Sequence, residues 1–227
     1  MASALSTYKE LQREPKILVK VKNYCTWTLV PEPIELTEGV TNSPLPTLFP
    51  GEEGGWVASK ENSLIPSGTE GFALFHLSNH GSCAIYWRVG QMDGFERMPN
   101  ALGIGCDKGI SKIKQWKKVI NRSLKTQCDL DNFYYQEYAQ THPVMQFCND
   151  NVCIQGTLFS ALKGEAIVEI IPRDVNHVAP SMVEKIHQET INSIFKPYKK
   201  GCVAGGTAVA SNPKLAILMA VLYALLR

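Results

Sequence analysis

Alternating apolar and polar positions dominate the middle of the sequence. Ile17, Val19 and Val21 alternate with lysines, and a period of two is typical of a strand with one buried face. Further strands are predicted at residues 25–30, 56–58, 71–77, 83–89, 154–162 and 166–171. Glycine-containing turns at 78–81 and 163–165 join two pairs of these strands into hairpins. Short strands divided by turns predict a β-sandwich or barrel.

The first sixteen residues carry a helical pattern instead. Leu5, Tyr8 and Leu11 recur at the spacing of one helix face, and Pro15 ends the helix. Two interpretations stay open: a helix that covers the sheet, and a segment that inserts into a membrane. As a helix, residues 2–14 would measure about 20 Å, which is less than the roughly 30 Å hydrocarbon core of a bilayer.

Two more helices are predicted farther along the chain. One begins at Asp129 or Asp131 and runs to residue 139, which places Tyr134 and Tyr138 on one face. The other covers residues 180–195 and has an apolar stripe of its own. A tyrosine helix can pack onto the sheet, or it can lie at a membrane boundary, where its rings can hold a quaternary ammonium group.

These patterns divide the chain into an N-terminal amphipathic segment (1–16), a β-sandwich (17–172) and a C-terminal extension (173–227). The extension ends in the apolar run 215–226, which is shorter than the roughly 20 residues of a membrane-spanning helix. That run is either part of a lipid-anchor attachment signal or a hydrophobic helix. The predicted fold class is mainly β: a compact β-sandwich flanked by short helices, with a C-terminal helical or hydrophobic extension.

The composition of the chain disfavours several classes of protein. The chain has 227 residues, 44% of them hydrophobic, and a net charge of +2, so a disordered chain and a dedicated nucleic-acid binder are both disfavoured. Its seven cysteines lack the spacing of a zinc site, and their pairing stays open. No nucleophile with a matching base is recognisable, so neither an enzyme nor a cofactor or metal site is expected.

A basic segment surrounds Trp116. Lys112, Lys114, Lys117 and Lys118 lie on either side of it. We expect an edge strand that its lysines keep from pairing with other chains. The alternative is a segment that contacts anionic headgroups.

A series of short motifs follows one another in a fixed order through the β region. They are Thr26-Trp27-Thr28, Gly39, Leu45-Pro46, Gly54-Gly55-Trp56, Gly68, Gly71, Gly81, Ala84-Ile85-Tyr86-Trp87, Tyr134 with Tyr138, and the closing strand at 164–170. This order resembles the actinoporins, the pore-forming cytolysins of sea anemones, over residues 17–171.

The resemblance implies a β-sandwich whose N-terminal helix detaches and inserts into lipid. It also implies an aromatic surface for phosphocholine headgroups, chiefly of sphingomyelin, and homo-oligomers that form a cation-permeable pore. We therefore expect a secreted haemolytic toxin that acts on target cell membranes. The candidates for membrane binding are Tyr134, Tyr135, Tyr138, Phe95 and Trp116, and those for the pore-forming segment are Leu5, Tyr8 and Leu11.

The chain departs from the actinoporin pattern in the headgroup loop. Phe95 is the only aromatic residue within 90–99, and Ala139 stands where the family has tyrosine. A different lipid, such as a ganglioside, or a glycan is therefore an alternative ligand. The alternative function is a lectin-like module on the same sandwich that binds lipid or glycan and forms no pore.

Overall fold

The computed structural model describes residues 2–12, 14–62, 67–90, 92–93, 96–126, 129–138, 144–159 and 163–186. It is mainly β, as predicted, with two sheets packed together and a few short helices. The helices are α1 (Ala2–Glu10), α2 (Ile113–Thr126) and α3 (residues 180–186). The strands are β1 (Lys16–Asn23), β2 (Val30–Pro31), β3 (Glu35–Glu38), β4 (Val40–Thr41), β5 (Glu53–Ser59), β6 (Thr69–His76), β7 (Ser82–Val89), β8 (Met92–Asp93), β9 (Glu96–Arg97), β10 (Asn100–Asp107), β11 (Phe133–Tyr138), β12 (Met145–Cys148), β13 (Val152–Phe159) and β14 (Lys163–Pro172).

Within the described residues, each large sheet has six strands. The first follows the order β12-β13-β14-β1-β5-β4, and β1 runs parallel to β14 and antiparallel to β5. The second follows β11-β10-β7-β6-β2, with β3 also paired to β6. The predicted hairpin of β6 and β7 is confirmed. It turns through Ser78–His80 and Gly81, whose φ of 98° favours glycine.

Buried apolar residues lie on both faces of each large sheet, so the molecule has four layers. Ile17 and Val19 point into the core between the sheets, whereas Leu18 lies on the outer face of the first sheet, beneath α1. In the second sheet Phe75 points inward and Leu74 lies beneath α2. The order through the molecule is therefore α1, first sheet, second sheet, α2.

The basic segment is a helix, so the prediction of an edge strand there is wrong. In α2 the buried residues Trp116, Ile120 and Ser123 recur three or four positions apart, which is the period of a helix and not that of a strand. The lysines occupy the remaining sides of the helix. A basic run whose apolar residues recur three or four positions apart has the amphipathic pattern of a surface helix.

The predicted tyrosine helix is also wrong, because residues Phe133–Tyr138 form β11. This strand pairs with β10 from Asn100 to Gly105. A spacing of four places two residues on the same side of a strand as well as of a helix, so the tyrosine spacing fits both. The aromatic content of the segment favours a strand, and β10 supplies the hydrogen-bonding partner.

The remaining predictions, for two further strand regions and for the C-terminal helix, are confirmed in part. The pairing of β13 with β14 is confirmed, but residues 163–165, predicted as the turn between them, are the first residues of β14. The predicted strand 25–30 is wrong over most of its length: isolated bridges form at Cys25 and Leu29, and β2 begins at Val30. The predicted helix 180–195 is confirmed over 180–186, where Met182 and Ile186 pack with Tyr24. The rest of that helix and the run 215–226 lie outside the described residues. No helix in the described part of the chain is long and apolar enough to cross a membrane.

The cysteines fall into a bonded pair and a buried group. Cys148 and Cys153 form a disulfide between β12 and β13. Cys25, Cys83 and Cys106 are buried and free, and the Sγ atoms of Cys83 and Cys106 are 3.1 Å apart. Burial raises the pKa of the Cys83 thiol well above its ordinary value, so this thiol stays protonated. Cys128 and Cys202 lie outside the described residues.

Candidate functional site

Helix α1 lies on the outer face of the first sheet. Ala4 is buried against Leu18 of β1 and Val57 of β5, and three half-buried side chains complete the contact. These three are Leu5, Tyr8 and Leu11, the residues proposed for the pore-forming segment. Their cluster is separate from the core between the sheets. The helix therefore rests on a sandwich that has its own core.

Lys16 connects the end of α1 to β1. Its Nζ donates hydrogen bonds of 2.6 Å to the carbonyl oxygens of Tyr8 and of Leu11. The last carbonyls of a helix have no partner within the helix, and its dipole favours a cation there. Only 4% of the Lys16 surface is exposed, and burial lowers the pKa of its ammonium group. The buried ammonium group of Lys16 thus caps the C-terminal end of α1. The sequence analysis did not predict this contact.

Tyr8 provides the other polar contact of α1. Its Oη donates to the carbonyl oxygen of Gly164, at 3.2 Å. Burial, with the charges of Glu165 and Glu14, raises the pKa of Tyr8 to about 12. Glu14 also pairs with Lys163 at 2.9 Å, but both side chains are exposed, and such a pair contributes at most about 1 kcal/mol. Few contacts therefore hold α1 in place.

Trp116 is fully buried beneath α2, which corrects its assignment as a membrane-contacting residue. It lies on the apolar side of the helix, and its Nε1 donates to Ser82 Oγ at 2.7 Å. The ring packs with buried residues of the second sheet and of α2, among them Phe72, Tyr86, Ile120 and Phe133. In this conformation Trp116 anchors α2.

The three tyrosines of β11 do not share one exposed face. Tyr138 is 1% exposed, so its assignment to a membrane-facing surface is also wrong. Since a strand alternates, Tyr134 and Tyr138 both face the core, with Tyr134 half-buried against it. Tyr135 lies on the opposite side of the sheet and packs against the α2 layer. Phe95 lies outside the described residues.

Tyr135 belongs to a polar group on that outer face. Arg88 Nη2 donates to Tyr135 Oη at 2.9 Å and to Glu137 Oε1 at 2.6 Å, and Arg88 Nε donates to the carbonyl of Pro99. Burial raises the pKa of Tyr135 above its ordinary value. The guanidinium is nearly buried and already has partners, so it is a poor candidate for an anion site.

An aromatic group missed in the sequence lies at one end of the sandwich. The rings of Trp27 and His80 stack with their centroids 3.7 Å apart, and the His177 ring is 5.2 Å from that of Trp27. Burial, His177 and Lys108 lower the pKa of His80. Three separated segments supply these rings, so spacing along the chain could not predict the group.

The exposed side of α2 carries cations. Lys114, Lys118, Arg122 and Lys125 are all exposed along the helix. The sequence analysis noted the first two but, having expected a strand, could not align them with the others.

The fold and these surfaces define the molecule as a helix-flanked β-sandwich. No family model matches the chain, and no curated protein matches its sequence. In structure the chain is similar to the lipid-binding protein Nakanori, with a TM-score of 0.55 and 10% identity, over 75% of this chain and 77% of that one. A more distant likeness is to IP-1A from Alcaligenes faecalis, with a TM-score of 0.40 and 9% identity, over 77% and 99% of the two chains. At these identities the likeness to Nakanori shows a shared fold.

Proposed function

We propose that the protein binds membrane lipids and perforates the membrane with α1, as a pore-forming cytolysin of the actinoporin type. The observation that carries this proposal is the position of α1, an amphipathic helix on the outside of a sandwich that has its own core. The fold shared with a lipid-binding protein and the motif order that resembles the actinoporins support it.

The energetics of α1 suit a helix that can be released. Fully burying a leucine-sized side chain is worth about 1.5–3 kcal/mol, and Leu5, Tyr8 and Leu11 are only half-buried. Ordering the backbone costs about 1–2 kcal/mol per residue. The burial of these three side chains is thus worth less than the ordering of the nine residues of α1 costs, so a bilayer interface can compete for the apolar face of α1.

After release, Leu5, Tyr8 and Leu11 would face lipid instead of Leu18 and Val57. Headgroup contact would involve Phe95 and the exposed parts of the half-buried Tyr134 and Tyr135, with a sphingomyelin-like lipid or a ganglioside as the target. Homo-oligomers would then form a cation-permeable pore in the membrane of a target cell. We propose further that the protein is secreted and haemolytic.

Dye release from loaded vesicles tests the role of α1. Ala4 and Val57 lie in one apolar cluster, so the double variant Ala4→Cys/Val57→Cys offers a cross-link between α1 and β5. With the cross-link verified by mass spectrometry, we expect vesicle binding without dye release, and release after reduction. The single-cysteine variants, treated identically, control for reduction of Cys148–Cys153. Persistent release by the cross-linked protein would exclude α1 as the perforating segment.

A second candidate function is membrane binding without perforation. The observation in its favour is the length of α1, which at nine residues measures about 14 Å, roughly half of the hydrocarbon core. Under this alternative the unmodified protein binds vesicles of choline lipids or gangliosides but releases no dye. The same vesicle panel therefore separates the two functions.

A further inference from the structure

The outward side of α2 forms a single basic stripe. Lys114, Lys118, Arg122 and Lys125 follow one another at intervals of four, four and three residues, and all four are exposed. Lys114 and Lys118 are each two positions from the buried Trp116, which places them about 200° around the helix axis from it. The stripe is about 16 Å long and points away from the sandwich.

The charge on this helix is not balanced within it. Residues Ile113–Thr126 include five lysines and arginines and no acidic residue. Since the whole chain carries +2, all other residues together carry a net charge of −3. Among the described residues, Lys117 is the one cation of α2 that forms an ion pair, with Glu35 at the border of the stripe. The four cations of the stripe face solvent.

The four cations of the stripe destabilise α2. Like charges four residues apart, as at Lys114, Lys118 and Arg122, destabilise a helix, and a cation in the first turn opposes the helix dipole. The buried side of α2, with Trp116 bonded to Ser82, supplies the stability. The fold thus does not require these cations, and they lie where a second, negatively charged surface could reach all of them.

We propose that the basic stripe of α2 binds a membrane surface rich in anionic phospholipids. This proposal rests on the proposed membrane binding and names the lipid class for one of its surfaces. Four cations on a convex helix can meet a planar array of phosphates together, and each cation near such a surface strengthens binding several-fold. A nucleic acid is the less suitable partner, because the stripe has no aromatic side chain for base stacking and the net charge is low.

Vesicle co-sedimentation with the full chain tests the proposal. Vesicles of phosphatidylcholine alone are compared with vesicles of phosphatidylcholine and phosphatidylserine at 7:3, at low and high salt. We expect tighter binding to the anionic vesicles, weakened by salt. The variants Lys114→Gln/Lys118→Gln and Arg122→Gln/Lys125→Gln should each weaken anionic binding about thirtyfold. Both pairs are exposed, so thermal unfolding should be unchanged or slightly improved.

A matched control removes two cations elsewhere. Lys60→Gln/Arg173→Gln lies at the first sheet, on the other side of the sandwich, and should leave anionic binding within about threefold of the unmodified chain. Equal losses in this control and in the stripe variants would overturn the proposal. So would stripe variants that bind anionic vesicles normally, or tighter binding to duplex RNA than to any vesicle. Equal binding to both kinds of vesicle, without salt dependence, would overturn the role proposed for the stripe and leave the proposed function intact. No binding to any vesicle would reject both proposals.

Discussion

Helices α1 and α2 are both amphipathic and cover opposite outer faces of one sandwich, yet they are held very differently. In α2, fourteen residues long, Trp116, Ile120 and Ser123 are buried. In α1, nine residues long, Ala4 is buried while Leu5 and Tyr8 stay half-exposed. An apolar stripe therefore predicts which side of a helix meets a sheet, but the buried volume decides how firmly it stays there.

The polar contacts sharpen the difference. The indole of Trp116 reaches through the apolar layer to Ser82, whose own hydroxyl donates to the carbonyl of Ile110. This bond lies inside the packed interface. The contacts of α1 instead come from Lys16, in the adjacent strand, and from the rim residue Tyr8. We expect α2 to unfold with the sandwich and α1 to detach before it.

The largest effect should come from Trp116→Ala. It leaves a cavity beneath α2 and removes the partner of Ser82, so we expect a loss of about 3–5 kcal/mol in the free energy of unfolding. Urea denaturation measures it. Lys118→Ala, on the exposed side of the same helix, should stay within about 0.5 kcal/mol. A Trp116→Ala loss below about 1 kcal/mol would mean that α2 is held no more firmly than α1.

Removal of residues 2–11 should have a smaller effect on the sandwich. The main core lies between the sheets and does not include α1, so we expect one cooperative transition and a loss of less than about 3 kcal/mol. Leu18 and Val57 become exposed, and binding of a hydrophobic dye should rise. A broad, non-cooperative transition would show that α1 is part of the structural core.

Lys16→Met should release α1 selectively. It removes two hydrogen bonds from a charged donor, which are worth about 1.5–3 kcal/mol each, but it also relieves the burial of the ammonium group. We expect a net loss of about 1–3 kcal/mol in docking, seen as faster hydrogen exchange in residues 2–10 with little change in α2. Lys60→Met serves as the control. Unchanged exchange in α1 would contradict the role assigned to Lys16.

Tyr8→Phe should have the smallest effect, about 0.5–1.5 kcal/mol from one hydrogen bond at a half-buried site. The pH dependence gives a sharper test. Because the folded pKa of Tyr8 is raised from 10 to about 12, its contribution is complete below pH 10 and is lost as the pH rises from 10 towards 12. The protection of α1 in the unmodified chain relative to Tyr8→Phe should therefore shrink over that interval. A constant difference would place the phenol in solvent.

Most of the sandwich was predictable because its strands alternate in the sequence as they do in space. The apolar positions of β1 and of the β6–β7 hairpin reproduce the two faces of their sheets. Residues 133–138 were assigned wrongly because a spacing of four suits a helix and a strand equally. For α2, the lysines next to Trp116 fit an edge strand when taken by themselves. The helix is indicated only by the longer spacing from Trp116 to Ile120 and Ser123.

The site was less predictable than the fold. Leu5, Tyr8 and Leu11 could be assigned to one face from spacing alone, and the structure places them against the sheet. The bond from Lys16 to the end of α1 depends on the direction in which β1 leaves the helix, which local sequence does not specify. The burial of Tyr138 likewise depends on β11 pairing with β10 rather than forming a helix.

The order of the layers predicts a delay between vesicle binding and dye release. Two stacked sheets are about 10 Å apart and each helix adds a further layer, so the axes of α1 and α2 lie on the order of 30 Å apart on opposite sides of the molecule. A molecule that lands on the basic stripe of α2 keeps α1 facing the water. Under the proposed function, binding and perforation would be consecutive events, separated by a period in which the protein reorients or releases α1. Dye release from vesicles would follow binding after a lag, whose length measures the interval during which attachment is still reversible.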